Sequence, residues 1–181
     1  MIPPTITRPE PAYVEALRAF LGGLPDEDVT FIKEDVRDPS VAERWCAAGD
    51  RARRLLALDG DHVVGLVSVM PLVGWSSHVG DLRVVVGPEA RGRGLGRELA
   101  RRGLAEAFDL GLEKLVVEVV AEQEHAVRMF DDLGFRAEAL LQRHIRDRHG
   151  ELRDLLLLAH AVDEEWSSLA SLGIEEDLRP D

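Results

Sequence analysis

Residues Leu82 to Leu110 read LRVVVGPEARGRGLGRELARRGLAEAFDL, a strand, a glycine-rich turn and a helix in succession. The β-branched run Val84-Val85-Val86 favours a pleated, half-buried strand. Gly87-Pro88 ends it, because proline has no N–H to give the ladder. After the loop Arg91-Gly92-Arg93-Gly94-Leu95-Gly96, the residues Leu95, Leu99, Leu104, Ala107 and Phe108 keep one apolar helical face. Gly111 supplies the left-handed C′ residue that stops the helix. A glycine-rich turn here lets bare N–H groups converge, and the helix N-terminus adds about half a positive charge. Together they make a ready site for a pyrophosphate-like anion. Arg91, Arg93, Arg97, Arg101 and Arg102 reinforce it, with Glu89 and Glu98 as nearby acids, in a chain of net charge −12. Local positive charge on a negative background points to a polyanionic ligand.

A chain of 181 residues predicts one domain, over 1–163, with 164–181 as a C-terminal helix and frayed tail. The acidic total argues against a nucleic-acid binder, which would show a basic face. Cys46 is the only cysteine, which excludes an intramolecular disulfide and a thiolate metal cluster. A small buried hydrophobe is its plain reading. His62, His78, His144, His149 and His160 show no metal spacing such as H-E-x-x-H, so no metal is expected. Pro3, Pro4 and Pro9 stand where a secretory h-region would lie. No apolar run approaches the ~20 residues of a membrane span. The expectation is a cytoplasmic protein that engages neither membrane nor nucleic acid.

Before the glycine loop, Thr5–Thr7 suggests a short strand and Pro9–Leu21 a helix closed by Gly22-Gly23, with Tyr13, Leu17, Phe20 and Leu21 on one side. The stretch 24–39 carries Asp26, Glu27, Asp28, Glu34, Asp35 and Asp38 and reads as a solvated acidic loop, long enough to be functional. Asp38 or Ser40 would cap a second helix running through Ala48 to Gly49. Arg54–Leu58 and His62–Val69 form a hairpin about Asp59-Gly60-Asp61, where Asp-Gly suits a type I′ turn. Pro71 and Gly74 bend or end that strand, and His78–Val86 returns to the loop. Beyond it come a strand at Lys114–Val120 and a helix at 124–133, with Ala126, Val127, Phe130 and Leu133 inward and Gly134 at C′. A final hairpin joins Phe135–Ile145 to Leu152–Val162 about Asp147-Arg148-His149-Gly150, and Asp163 would cap a last helix through Leu172. The crossover helix makes 78–86 and 114–120 parallel in an otherwise antiparallel sheet. The fold class is α/β, an α+β mixed sheet of about six or seven strands flanked by helices.

Three features coincide: Arg91-x-x-Gly94-x-Gly96 between strand and helix, the strand from Lys114, and Ala126-x-x-x-Phe130-x-x-Leu133-Gly134-Phe135. Over residues 50–160 this resembles the GNAT superfamily of acyl-CoA N-acyltransferases, whose loop reads Q/R-x-x-G-x-G/A. A P-loop would need Lys-Ser/Thr after the glycine, where this chain has Arg97-Glu98. A dinucleotide fingerprint would need a third glycine, where this chain has Arg97. The resemblance implies acetyl-CoA as co-substrate, with backbone N–H groups of Gly92, Arg93, Gly94, Leu95, Gly96 and Arg97 on its pyrophosphate. It also implies that the edge of Val84, Val85 and Val86 pairs with the pantetheine arm. The strands at 78–86 and 114–120 would then splay, and the Val86 N–H would face the oxyanion.

Acyl transfer to an amine needs a neutral nucleophile, a polarised thioester and a route for a proton. Glu118, the only acid in the apolar run Leu115–Val120, is the leading base, and burial there would raise its pKa. RimI-type members of the family carry a glutamate assigned as base at this place. The plainer alternative is a strand-end glutamate paired to an arginine or facing water. Asp81 is the second candidate. Many family members carry a tyrosine as general acid where this chain has Phe130, and an asparagine where it has Gln123. An alkyl thiolate leaves tolerably without full protonation, and water, His125 or Cys46 are candidate stand-ins. Two readings follow. One is an N-acetyltransferase acting on a primary amine of a small molecule or a peptide N-terminus, with the acceptor set by the first helices, the 24–39 loop and the bend at Trp75. The other is a non-catalytic acyl-CoA-binding or regulatory domain in which Phe130 marks lost chemistry. A homodimer through the last strands or the 163–172 helix is a further possibility.

Overall fold

The computed structural model describes residues 3–29, 32–47, 49 and 51–162. Seven strands form one mixed sheet: β1 (Thr5–Thr7), β2 (Arg53–Asp59), β3 (His62–Pro71), β4 (Val79–Val86), β5 (Lys114–Val120), β6 (Arg136–Arg146) and β7 (Leu152–Ala161). Their order is β1-β2-β3-β4-β5-β7-β6. Only β4 and β5 run parallel, as the crossover helix between them requires. The helices are α1 (Val14–Gly23), the single turn α2 (Asp26–Val29), α3 (Ser40–Cys46), α4 (Leu95–Asp109) and α5 (Glu124–Asp132).

Strand alternation divides the core between the two faces of the sheet. Leu55, Ala57, Val67, Val69, Leu82, Leu115, Val117 and Val119 pack with the buried side of α4 and with Phe130, Leu133 and Phe135. Leu56, Leu58 and Leu66 turn the other way, against Leu17 and Leu21 of α1 and Val41, Trp45 and Cys46 of α3. Each fully buried leucine contributes about 1.5–3 kcal/mol over exposure. Gly103 marks where α4 lies closest to the sheet, because a Cβ there would sit 2.5 Å from a Leu82 methyl and 3.0 Å from Val67.

Several expectations shift. Pro11–Tyr13 forms a tight 3-10 turn before α1, and Gly22-Gly23 are the last helical residues instead of its stop. The second helix starts at Ser40 and ends at Cys46, since Ala47 is already extended. Asp38 lies outside it, accepting hydrogen bonds from the Ser40 N–H and hydroxyl at 2.9 and 2.8 Å. In the β2–β3 hairpin Asp59 pairs with His62. Of the two loop residues only Gly60 has positive φ, which fits type II′ and not the expected type I′. Leu95, Leu99, Leu104 and Ala107 of α4 are buried as expected, but Phe108 is 41% exposed, and Ala100 and Gly103 complete the buried stripe. The 163–172 helix, the 164–181 tail and Ala48 lie outside the described residues. No helix among the described residues is long and apolar enough to cross a membrane.

Candidate active site

The glycine loop sits at the C-terminal end of β4. Pro88–Ala90 makes a 3-10 turn, Gly92 and Gly94 take φ of 72° and 81°, and Gly94 is the N-cap of α4. Positive φ at both positions requires glycine. No side chain caps the helix, so its first N–H groups are directed into the loop. Gly96 sits close over Val86 and Met129, its hypothetical Cβ only 3.6 and 3.4 Å from their side-chain atoms. Arg91 donates from Nε to the Val86 carbonyl at 3.0 Å and from Nη2 to Asp28 at 2.5 Å. Arg97 pairs with Asp132 at the end of α5, and Arg102 with Glu98 one turn back. Arg91 and Arg97 therefore also brace the loop.

Beside the loop the sheet opens. β4 and β5 pair only from Val79↔Lys114 to Asp81↔Val116, although both strands continue. The Val79 carbonyl and the Gly87 N–H bond toward β3. Alternation therefore turns the peptide groups of Leu82, Val84 and Val86 toward β5. Beyond Asp81 no described strand meets them. Val85 pairs with Leu66 of β3, so of the three valines expected to face the pantetheine arm, Val84 and Val86 turn their peptides into the slot and Val85 does not.

Asp81 and Glu118 meet at the start of this slot, on the face opposite α4. Lys33 bridges them, its Nζ 2.9 Å from Glu118 and 3.3 Å from Asp81. Asp81 also accepts from Arg83 at 2.8 Å, and Arg83 in turn pairs with Glu34. Burial alone would make the Arg83 guanidinium easier to deprotonate, but Asp81 and Glu34 outweigh it and hold its pKa above the usual value. Asp81 is buried, on the same face of β4 as Arg83. The burial expected of Glu118 is not realised. Its side chain is 34% exposed, because Lys114, Val116 and Glu118 alternate away from Leu115, Val117 and Val119, which pack into the core.

In the acidic stretch 24–39, Asp26, Glu27, Asp35 and Asp38 are exposed as expected, but its described residues also form a strap tied to the site. Asp28 holds Arg91 at the glycine loop, Lys33 reaches Asp81 and Glu118 at the slot, and Glu34 reaches Arg83 beside them. Arg37 ties it down, donating to the carbonyls of Leu21, Gly22 and Leu24 and to Asp26. Lys33, Glu34 and Arg83 are site residues that the sequence reading missed. One signal pointed to the first: of 22 basic residues only Lys33 and Lys114 are lysines.

Phe130 is buried in the core, edge-on to Phe135 at 5.2 Å between ring centres. Its place is filled by packing, and an apolar ring suits it. Gln123 is the exposed N-cap of α5, engaged through its backbone and not its side chain. His125 is exposed on the first turn of α5. Cys46 is the last residue of α3 and is buried in the cluster on the other face of the sheet. Burial pushes its thiol pKa up against the opposing charge of Arg54, which suits a packing role and not proton donation at the slot. Among the described residues no His, Cys, Asp or Glu cluster could hold a metal ion.

A family model described as Acetyltransferase (GNAT) family matches residues 19–135. The chain is 35% identical over 97 residues to a mycothiol acetyltransferase of Rhodococcus jostii, covering 52% of this chain and 32% of that protein. It is 26% identical over 110 residues to a spermidine N(1)-acetyltransferase of Vibrio cholerae, covering 59% and 63% respectively. The fold is also that of a solved ribosomal-protein-alanine N-acetyltransferase from Brucella melitensis, with TM-score 0.74 at 23% identity over 87% of this chain and 99% of that one.

Proposed function

This chain belongs to the GNAT acetyltransferase family, and from that premise we propose that it moves an acetyl group from acetyl-CoA to a primary amine by direct attack in a ternary complex. The observation that carries this reading is the Lys33 ammonium seated on Glu118 and Asp81 where β4 and β5 part. A seat that holds one primary ammonium suits another. Three carboxylates, on Asp81, Glu118 and Glu34, face two cations, on Lys33 and Arg83. The site is therefore one negative charge in excess, which favours a cationic acceptor. The relatives named for spermidine and for mycothiol acetylation are consistent with an amine of either small-molecule kind.

In this reading the N–H groups of Gly92 to Arg97 hold the pyrophosphate, and the open peptide edge of Val84 and the N–H of Val86, whose carbonyl Arg91 engages, hold the pantetheine arm. Glu118 takes the proton of the acceptor ammonium, and its exposure lets it pass that proton to solvent. Asp81, fixed by Arg83, orients the ammonium. Phe130 supplies no proton, and a thiolate of pKa near 8.5 leaves without one. Thiol release from acetyl-CoA with a panel of primary amines tests the proposal. Turnover with at least one cationic amine is expected. Tight coenzyme A binding with no amine-dependent release would instead favour a non-catalytic acyl-CoA-binding domain.

A further inference from the structure

We infer that Lys33 is itself an acetyl acceptor, modified within its own chain when acetyl-CoA is bound and no amine is present. The inference rests on the acetyl-transfer reading above and goes beyond it. Lysine is the basic side chain that becomes a nucleophile once it loses a proton, whereas arginine keeps its charge. This chain uses arginine almost everywhere, with only Lys33 and Lys114 as exceptions. One of those two is placed on the proposed base, 2.9 Å from Glu118. It also lies beside the last rung of the β4–β5 ladder, Asp81↔Val116, next to which the thioester would lie. Its side chain is 46% exposed, so it is held by ion pairs and not by packing.

The step balances without any further reagent. Glu118 accepts a proton from the Lys33 ammonium, and the freed Nζ pair attacks the thioester carbonyl carbon. A C–N bond forms and the C–S bond breaks. The nitrogen, now bonded to the acyl carbon, sheds its second proton to the departing coenzyme A thiolate, and Glu118 releases the first to solvent, so the products are Nζ-acetyl-Lys33, the free thiol and one proton. Being intramolecular, the reaction benefits from an effective concentration no dissolved lysine reaches. Acetylation removes the positive charge from the seat, leaving Asp81 to Arg83 and Glu118 open to an acceptor ammonium.

Lys114 is a built-in control. It lies on β5 at the paired end of the slot, with its Nζ 2.7 Å from both carboxylate oxygens of Glu138. Full-length protein incubated with acetyl-CoA alone should release thiol in an amount stoichiometric with the chain and then stop. Peptide mapping should find the acetyl group on Lys33, with Lys114 and the α-amino group far behind. The rate should be independent of protein concentration, should rise with pH, and should fall in Glu118→Gln. Lys33→Arg, which keeps the ion pairs, should abolish the stoichiometric release while circular dichroism reports an unchanged fold. Equal labelling of Lys33 and Lys114, or a rate that scales with protein concentration, would overturn the inference. The amine panel on the same preparation separates the failures. Acetylated amines with unmodified Lys33 refute self-acetylation alone, whereas no transfer to either refutes the catalytic reading as well.

Discussion

Lys33 governs the charge of the acid face, and its effect on acceptor binding follows from simple competition. Its ammonium occupies the seat that an incoming amine would need. Replacing it with methionine keeps the stem and removes the competitor. An ion pair as exposed as this one contributes under about 1 kcal/mol, so Lys33→Met should lower KM for a cationic amine by roughly three-fold. Steady-state kinetics at low and high salt would check this, and the difference should shrink as salt screens the acids. A rise in KM would mean that Lys33 recruits the acceptor instead of standing in for it.

At the scale of elements, α4 packs tightly on the sheet at Gly103. Gly103 faces Leu82 and Val67, both almost wholly enclosed. Gly103→Val forces two branched methyls into that contact and should cost about 1–3 kcal/mol, read as a lower urea midpoint with an unchanged m-value. The β6–β7 turn carries an acid-sensitive feature. Partial burial pushes the Asp147 carboxyl up, but its hydrogen bond from Arg153 and those from the Glu151 and His149 N–H groups outweigh it and lower its pKa. A carboxylate held below its unfolded value stabilises the fold above that value, near 3.9, and loses the contribution as pH falls through the folded value. The stability gap between wild type and Asp147→Asn should therefore close below about pH 4. A gap that stays constant there would contradict the assignment. These elements also divide what was legible in the sequence from what was not. The strand, glycine loop and α4 were readable because β-branching, positive-φ glycine and periodicity act within a few residues. The turn type at Gly60 and the exposure of Phe108 were not, because sheet register and neighbouring elements decide them.

Across the whole molecule, the glycine loop leads into α4 on one face of the sheet, the acids Asp81 and Glu118 lie on the other, and the slot between β4 and β5 opens between them. The parallel pairing was legible from the crossover helix, and the splay from the family resemblance. The strap was not. A run of acids reads as solvated when its partners, Arg83, Arg91 and Arg148, lie far along the chain. Likewise Glu118 stood in an apolar run, and only the sheet could show that its side chain faces the opening. Glu118 is the group proposed to take the acceptor's proton. General-base catalysis typically contributes about 10²–10⁴-fold, so Glu118→Gln should reduce kcat/KM for the best amine by at least about a hundred-fold near neutral pH. The loss should diminish toward about pH 9, where more of the amine is already neutral. Measuring kcat/KM for both proteins from about pH 6 to about pH 9 decides the matter. Equal values across that range would contradict the assignment of Glu118 and, with it, the proposed mechanism.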